Sequence, residues 1–282
     1  MTVSAKFAAG ERVIAVELDP PPDDDAAYFF NGVRTLRNAG ADWITIADCP
    51  VGRPRADSSL LACKVKRDFG MEPLPHIACR DRNLNATKAL LLGLAIEGIH
   101  HILIVTGDPV PTEKRDEVKS VFNFNSRKLA RYIQSLNETL QTPFQMFGAL
   151  NVNARNFDRQ LEFALEKETC GITGFLTQPV LSPEAMDNLR KARTVLHGKI
   201  LGGIFPVVSY RNACFLNNEI AGMRVSEDII RRYEGLNREE AESLAVEISI
   251  DTAREIADFT DGLYLMTPFK RVALVEKILS LL

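Results

Sequence analysis

The segment H-H-I-L-I-V-T-G-D-P at residues 100–109 carries the clearest strand signal of the chain. Its apolar run, which ends at Thr106, has the length and the β-branched side chains of a strand that is buried on both faces. Gly107 permits an unusual turn, and Pro109 prevents the strand from continuing. Asp108 therefore follows the carboxyl end of a buried strand, which is where parallel α/β proteins bind ligands. Asp108 could equally cap a turn, so this segment alone leaves both interpretations open.

The same pattern of a short apolar strand and an amphipathic helix recurs along the whole chain. Predicted strands cover residues 13–18, 43–47, 74–79, 102–106, 144–150, 171–177, 200–205 and 261–266. Predicted helices cover residues 23–38, 58–68, 83–96, 126–136, 156–169, a stretch opened by Ser182, 212–218, 226–233, 239–259 and the segment after Pro268. Strict alternation predicts a parallel sheet, and eight units predict an α/β fold of the (β/α)8 TIM-barrel type. An open doubly wound sheet is disfavoured because neither G-x-G-x-x-G nor a P-loop follows a strand.

Composition sets the class of protein. The chain has 282 residues, of which 46% are hydrophobic and 25% charged, with a net charge of -3. These values suit a globular protein whose residues 1–282 form one barrel domain, since no linker or low-complexity segment divides it. No basic footprint for nucleic acid is present, and no run of roughly 18 apolar residues predicts a membrane span. Residues 1–10 do not resemble a signal peptide.

The cysteines predict a reducing compartment. The chain has five of them, an odd number, and no Cys-x-x-Cys pair. A disulfide framework or a structural zinc site is therefore not expected, and a cytoplasmic location fits best. We interpret the cysteines as small residues in or near the core, namely Cys49, Cys63, Cys79, Cys170 and Cys214.

In a TIM barrel the residues just past each strand face one shared mouth. Here they are Glu17, Asp48, residues 76–80, Asp108, Asn151, Gln178, residues 209–212 and Thr267. This ring contains no three-ligand cluster at obvious metal spacing, so no metal is expected. His100 and His101 begin a strand and are expected at the opposite rim.

Glu17 is the most informative member of the ring. It lies in an apolar run, where burial raises the pKa of a carboxyl group and suits it to act as a general acid. Pairing with an arginine is the alternative explanation. Gln178 could make paired hydrogen bonds to the edge of a heterocycle or could be a solvated loop residue. Asn212 could be a ligand contact, although asparagine at such a position more often caps a helix.

Five motifs occur in order at these strand ends: V-E-L-D-P-P at 16–21, P-H-I-A-C at 75–79, V-T-G-D at 105–108, L-T-Q-P at 176–179 and F-P-V-V-S-Y-R-N-A at 205–213. Together they resemble the flavin-dependent methylenetetrahydrofolate reductases, over nearly the whole chain. Further matches are I-T-I-A-D at 44–48, A-L-N at 149–151 and Y-L-M-x-P-F at 264–269. These resemble most closely the reductase domain that some bacteria fuse behind a homocysteine methyltransferase.

The resemblance implies a barrel that binds FAD non-covalently at its carboxyl end. Glu17 matches the family's general acid, and Asp108 matches the aspartate beside the isoalloxazine. Gln178 matches the glutamine that binds the folate edge, and Asn212 falls on a position that approaches the folate. The positions that imply contact with FAD are His76, Thr106, Gly107, Asp108, Asn125, Ser126, Asn151 and Lys167.

The implied reaction is a ping-pong reduction of 5,10-methylenetetrahydrofolate to 5-methyltetrahydrofolate. A donor, NADH or NADPH, reduces FAD and leaves; the folate then stacks on the flavin. Protonation of folate N10 by Glu17 opens the ring to an iminium, which receives a hydride from the flavin. We also expect a homo-oligomer.

The chain departs from the best-studied form of the family near the expected flavin. Ala47-Asp48 replace threonine-tyrosine, Thr106 and Glu166 each replace an arginine, and Leu216 lies near the position of a phenylalanine that stacks on substrate or nicotinamide. Two alternatives therefore stay open. One is a subunit with the same folate chemistry that takes electrons only from a partner protein. The other is a flavin-free pterin-binding barrel that transfers a methyl group.

Overall fold

A computed structural model describes residues 1–220 and 222–282 and confirms the TIM barrel. Eight parallel strands close into a barrel in sequence order, with β8 paired to β1. The strands are β1 (Val13–Leu18), β2 (Trp43–Ile46), β3 (Glu72–Ala78), β4 (His101–Val105), β5 (Gln145–Leu150), β6 (Ile172–Pro179), β7 (Lys199–Ile204) and β8 (Gly262–Met266). The strands and helices that were predicted therefore occur in the predicted order, and one helix at the start of the chain was not predicted.

Helices surround the barrel, and most begin at a side-chain cap. They are α1 (Val3–Ala9), α2 (Ala27–Asn38), α3 (Ser58–Phe69), α4 (Leu84–Ile96), α5 (Ser126–Asn137), α6 (Phe157–Thr169), α7 (Pro183–Val195), α8 (Tyr210–Glu219), α9 (Glu227–Arg232), α10 (Arg238–Glu255) and α11 (Val272–Leu279). Asn237 caps α10 through a capping box with Glu240. Within residues 1–220 and 222–282, no helix is long and apolar enough to cross a membrane.

Side chains alternate between the inside and the outside of each strand. The outward ones, such as Val16, Ile44 and Ile104, are buried beneath the helices. The inward ones fill the barrel with one apolar cluster: Val13, Ala15, Trp43, Leu74, Leu103, Phe147, Leu176, Leu201, Tyr264 and Met266, joined by Val3. Glu17 follows Ala15 by two residues, so its side chain also points into the barrel, one layer above Ala15.

Two glycines allow the barrel to close. A Cβ at Gly262 would lie 2.1 Å from the carbonyl oxygen of Val13, where β8 meets β1. A Cβ at Gly203 would lie 2.5 Å from the carbonyl oxygen of Thr177, where the pairing of β6 with β7 shifts register. Both contacts are with backbone, so neither position accepts a side chain without a shift of a strand.

The short helix α1 covers the amino end of the barrel and is absent from the predicted elements. Seven residues are too few for a helical period to show in the sequence. Phe7 packs against Trp43 with ring centroids 5.9 Å apart. The Ser4 hydroxyl lies 2.9 Å from Nε2 of His101, which confirms that His101 occupies the rim opposite the mouth.

Two strand boundaries differ from the prediction in ways that matter for the site. β3 begins at Glu72, two residues before the predicted start. Pro73 and Pro75 belong to the strand and pair with Ile44 and Ile46 of β2. β6 continues through Gln178 to Pro179, which pairs with Gly203 of β7. Gln178 is therefore part of the strand and does not lie in a loop.

Candidate active site at the carboxyl end of the barrel

Glu17 lies in a small polar layer at the top of the barrel interior. Strand register places Thr45 of β2 directly beside it, and Tyr264 and His76 reach the same carboxyl group. The Tyr264 hydroxyl donates a hydrogen bond to Oε2 of Glu17. No arginine within residues 1–220 and 222–282 pairs with Glu17, so the arginine alternative is wrong.

Burial controls the protonation of this layer. It raises the pKa of Glu17 to about 7, with a further contribution from the charge of Asp19, and the hydrogen bond from Tyr264 opposes the rise. It lowers the pKa of His76 to about 3, so this imidazole is neutral. The 3.8 Å between His76 Nε2 and Glu17 Oε2 is therefore not an ion pair, and it is too long for a hydrogen bond. Glu17 thus holds a proton near neutral pH without a cation beside it.

This raised pKa predicts a pH-dependent effect of Glu17→Gln on stability. A carboxyl with a raised folded-state pKa stabilises the fold below its unfolded-state pKa, and the contribution disappears as pH rises through about 7. The variant should therefore gain about 3 kcal/mol in free energy of unfolding relative to wild type between pH 4 and pH 8. Urea unfolding of both proteins measures this difference. His76 is present in both proteins, so its titration contributes equally to both free energies of unfolding and cancels in the difference. A difference that is flat with pH would contradict the raised pKa.

Asp108 connects the loops that follow β2 and β4. Its Oδ2 accepts a hydrogen bond of 2.8 Å from the amide of Val51, and its carbonyl oxygen accepts one of 2.8 Å from Arg80. Arg80 also donates to the carbonyl oxygen of Cys49, and its side chain is 2% exposed. The carboxylate of Asp108 thus has a structural contact, which joins two loops and does not cap the turn of its own loop. One carboxylate oxygen of Asp108 stays available to a ligand.

Gly107 is required where the chain turns at the end of β4. Its φ is +91°, and a Cβ there would lie 3.2 Å from the Cβ atoms of both Ala78 and Arg80. Thr106, just before it, accepts a weak hydrogen bond of 3.4 Å from the amide of Ser126. Asn125 caps α5 by accepting from the amide of Lys128. The sequence-predicted group Thr106, Gly107, Asn125 and Ser126 is therefore contiguous.

Backbone strain is concentrated at this end of the barrel. The non-glycine residues with left-handed φ in the described ranges all lie in loops after β2, β4 or β8: Cys49, Val51, Phe122, Phe269 and Lys270. Val51 at φ 49° is the most unusual, because a β-branched side chain disfavours that region. Strain of this kind persists where surrounding contacts impose it, and it clusters at functional sites.

Lys167 and Arg127 place two cations beside β5. Nζ of Lys167 donates to the carbonyl oxygen of Ala149 at 2.6 Å. Burial, with the nearby positive charge of Arg127, lowers the pKa of Lys167 to about 8. Arg127 pairs with Glu166, the residue that replaces a family arginine. The carboxylate at position 166 is thus neutralised by Arg127, from the neighbouring helix.

Asn151 lies at the end of β5 and faces a second loop. Its Oδ1 accepts a hydrogen bond of 2.9 Å from the amide of Asn153. A Cβ at Gly222 would lie 3.1 Å from Nδ2 of Asn151, so the β5 loop and the loop after α8 are in close approach. Both loops line a cavity of about 980 Å³ at this end of the barrel.

Gln178 and Asn212 both keep hydrogen-bonding capacity. The side-chain amide of Gln178, half-buried, makes no hydrogen bond within the described ranges. Asn212 is buried and accepts from the amide of Val208 through Oδ1, while its Nδ2 has no partner among the described residues. The cap of α8 is Ser209 and not Asn212. Leu216, near the position of a stacking phenylalanine in the family, is 3% exposed and packs in an interior cluster.

Sequence reasoning missed two groups that shape the site. Tyr264 belongs to the inward series of β8, and a period of two counted back from Met266 could have identified it. Arg82 binds Asp48 and Asp57 together, with 3.0 Å to Asp57. Asp48, which also accepts from the amide of Ala78, is thereby committed to holding β2 against β3. No sequence pattern predicts that one arginine pairs with these two aspartates.

The family model for methylenetetrahydrofolate reductase matches residues 2–282. No curated protein sequence is matched. A structure from Clostridium thermocellum, described as binding two copies of 5-methyl-5,6,7,8-tetrahydrofolic acid, is similar with a TM-score of 0.69 and 13% identity, over 99% of this chain and 100% of that chain. Tryptophan synthase from M. tuberculosis is similar with a TM-score of 0.55 and 13% identity, over 98% and 93%.

At such identities the structural likenesses show the fold alone. The family match covers nearly the entire chain, and it confirms the resemblance inferred from the five motifs at the strand ends. The chain belongs to the methylenetetrahydrofolate reductase family.

Proposed function

We propose that the protein reduces 5,10-methylenetetrahydrofolate to 5-methyltetrahydrofolate with FAD as its cofactor. The observation that carries the proposal is Glu17 at the carboxyl end of the barrel: its half-buried carboxyl group accepts the hydroxyl of Tyr264 and has no cation beside it, and burial raises its pKa to about 7. Membership in the family supports folate chemistry. The Clostridium thermocellum protein, which binds a methylated tetrahydrofolate on the same fold, supports folate as the ligand.

The residues present fit FAD on three observations. Lys167 is a largely buried cation without a carboxylate partner among the described residues, and a diphosphate would stabilise its charge. Nε2 of His76 is enclosed and has no partner within the described residues, so an acceptor or donor of a ligand could satisfy it. Val51 and Phe122 expose apolar side chains in strained loops at the mouth, where a planar ring could cover them.

The protein's own groups would act on the folate as follows. Glu17 gives its proton to N10; the bond from N10 to the bridging carbon breaks, and the positive charge remains on the N5 iminium. Asp108 stabilises that cation by its negative charge, and Gln178 orients the pterin edge through its amide. FAD, when bound, would supply the hydride that completes the methyl group. Glu17 regains a proton from solvent as the product leaves.

Reconstitution tests the proposal. The purified protein is incubated with FAD, passed through a desalting column, and examined for retained flavin absorbance. NADH and NADPH are then added without oxygen, followed by methylenetetrahydrofolate. The proposal is supported if the protein retains flavin, if NADH or NADPH removes the absorbance of the oxidised flavin, and if methylenetetrahydrofolate restores that absorbance. Protein that retains no flavin yet binds methyltetrahydrofolate would favour the flavin-free methyl transfer.

Lys167→Met should weaken FAD binding. A charge-assisted bond to phosphate would be lost, so the Kd for FAD should rise about 10-fold to 100-fold. Fluorescence quenching of titrated FAD measures the Kd. Lys191→Met is the control, because Lys191 pairs with Asp158 on the surface. Equal FAD affinity of wild type and Lys167→Met would remove Lys167 from the cofactor site.

A protein electron donor is the second candidate. The burial of Leu216 favours it, because this side chain packs in an interior cluster and offers no ring for a nicotinamide to stack on. In that case neither NADH nor NADPH bleaches the bound flavin, while chemically reduced protein still reduces the folate. Rapid bleaching by one nucleotide would exclude this candidate.

A further inference from the structure

The two oxygens of the Glu17 carboxyl group have different surroundings. Oε2 accepts the hydroxyl of Tyr264 and is the oxygen nearest to Nε2 of His76, at 3.8 Å. Oε1 makes no hydrogen bond within residues 1–220 and 222–282 and is not among the fully enclosed polar atoms. The side chain of Glu17 is 20% exposed, although Oε2 is turned toward the barrel interior. One oxygen is thus engaged and the other is open.

Tyr264 is built into the barrel so that its hydroxyl is held in place. Its ring belongs to the apolar interior cluster, and register pairs it with Ala15, one layer below Glu17. Its pKa is raised well above the usual value by burial and by the charge of Glu17, so it keeps its own proton. Tyr264 is therefore a fixed donor to Glu17 and not an acid in its own right.

We propose that Tyr264 is a positioning residue for proton transfer: its hydroxyl occupies Oε2 of Glu17 and leaves Oε1 to carry the proton and deliver it at the mouth. This inference rests on the proposed function of Glu17 as the acid. When the proton leaves Oε1 for N10 of the folate, the carboxylate that forms keeps its hydrogen bond from Tyr264. Tyr264 itself gains and loses no proton.

Few other titratable groups face Glu17. Asp19, at the end of β1, raises its pKa by like charge, and Arg55 faces Asp19 in turn. His76 from β3 is neutral. A hydrogen bond to the charged form of a carboxyl lowers its pKa, so loss of the Tyr264 hydroxyl should raise it.

The test is the titration of Glu17 by carbon-13 NMR of labelled glutamate carboxyl groups, with neither FAD nor folate present. Glu17→Gln assigns the signal. We expect Glu17 to titrate near pH 7 in wild type and about one unit higher in Tyr264→Phe. Incorporation of 3-fluorotyrosine at position 264 gives a stronger donor of nearly the same size, and it should lower the pKa instead. The pKa of Glu17 should thus shift in opposite directions in the two variants. A general loss of structure would not produce opposite shifts, so the comparison isolates the effect of the hydrogen bond.

Tyr233→Phe is the matched control. Tyr233 is also buried, and its hydroxyl donates to the carbonyl oxygen of Val207, not to Glu17. This variant loses the same atom and a hydroxyl hydrogen bond to a backbone carbonyl oxygen, and it should leave the titration of Glu17 unchanged. The folate half-reaction adds a second measurement: at pH 6, where Glu17 is mostly protonated, Tyr264→Phe should be slower by about 10-fold or more.

An unmoved or lowered titration in Tyr264→Phe, with normal folate reduction by wild type, would overturn the positioning role alone. A shifted titration in a protein that reduces no folate would overturn the proposed function, while the hydrogen bond from Tyr264 to Glu17 would stand. The two failures are thus distinguishable.

Discussion

Glu17→Gln should abolish folate reduction while FAD binding and flavin reduction persist. Glutamine fills the same space and still accepts the hydroxyl of Tyr264 but has no acidic proton to give to N10. Loss of a general acid typically costs about 10² to 10⁴ in rate. Stopped-flow measurement of the folate half-reaction gives the rate in both proteins. In wild type this rate should fall as pH rises above about 7, because only protonated Glu17 is active.

Glu72→Gln is the matched control. Glu72 is also a partly buried carboxylate on a barrel strand, but it lies 3.2 Å from Nδ1 of His101 at the opposite rim. Its substitution should leave folate reduction unchanged. Folate turnover by Glu17→Gln at the wild-type rate would remove Glu17 from the mechanism.

Arg80→Ala should unfold the mouth of the barrel and cost about 3 kcal/mol in free energy of unfolding. The guanidinium donates to the carbonyl oxygens of Asp108 and Cys49 and pairs with Asp81 at 2.7 Å. Alanine would leave the two carbonyl oxygens without these donors and would free the left-handed turn at Cys49 and Val51. Urea unfolding measures the loss, and weaker FAD binding should accompany it.

Arg67→Ala provides the comparison for Arg80→Ala. Arg67 is 63% exposed and lies 3.6 Å from Glu97, so its removal should change stability by no more than about 0.5 kcal/mol. Equal stabilities of the two variants would show that Arg80 does not hold the loops together.

The barrel could be predicted from sequence because its signals are local. Each strand shows as a short apolar run, and each turn at a strand end shows as glycine, proline or aspartate, as at Gly107 and Pro109. Glu17 was predictable for the same reason, since a carboxyl inside an apolar run is unusual wherever it occurs. That its side chain points into the barrel follows from the two-residue alternation of side chains along a strand.

The contacts of the site could not be predicted, because they join residues that are distant in sequence. The hydrogen bond from Tyr264 to Glu17 spans the closure of β8 onto β1, and it depends on register and not on composition. The reach of Arg80 to the carbonyl oxygen of Asp108 depends on the rotamer of a long side chain. Arg127, from a different helix, neutralises Glu166 at the position where the family has arginine, and no single position of the sequence reveals this pairing.

The central claim is that this protein transfers a hydride to methylenetetrahydrofolate with Glu17 as the acid. The most direct measurement mixes FAD-reconstituted protein, reduced by light and therefore independent of any natural donor, with methylenetetrahydrofolate in the absence of oxygen. We expect flavin absorbance to return, with one 5-methyltetrahydrofolate formed per flavin, at a rate that falls as pH rises through about 7. Flavin that stays reduced in the presence of bound folate would contradict it.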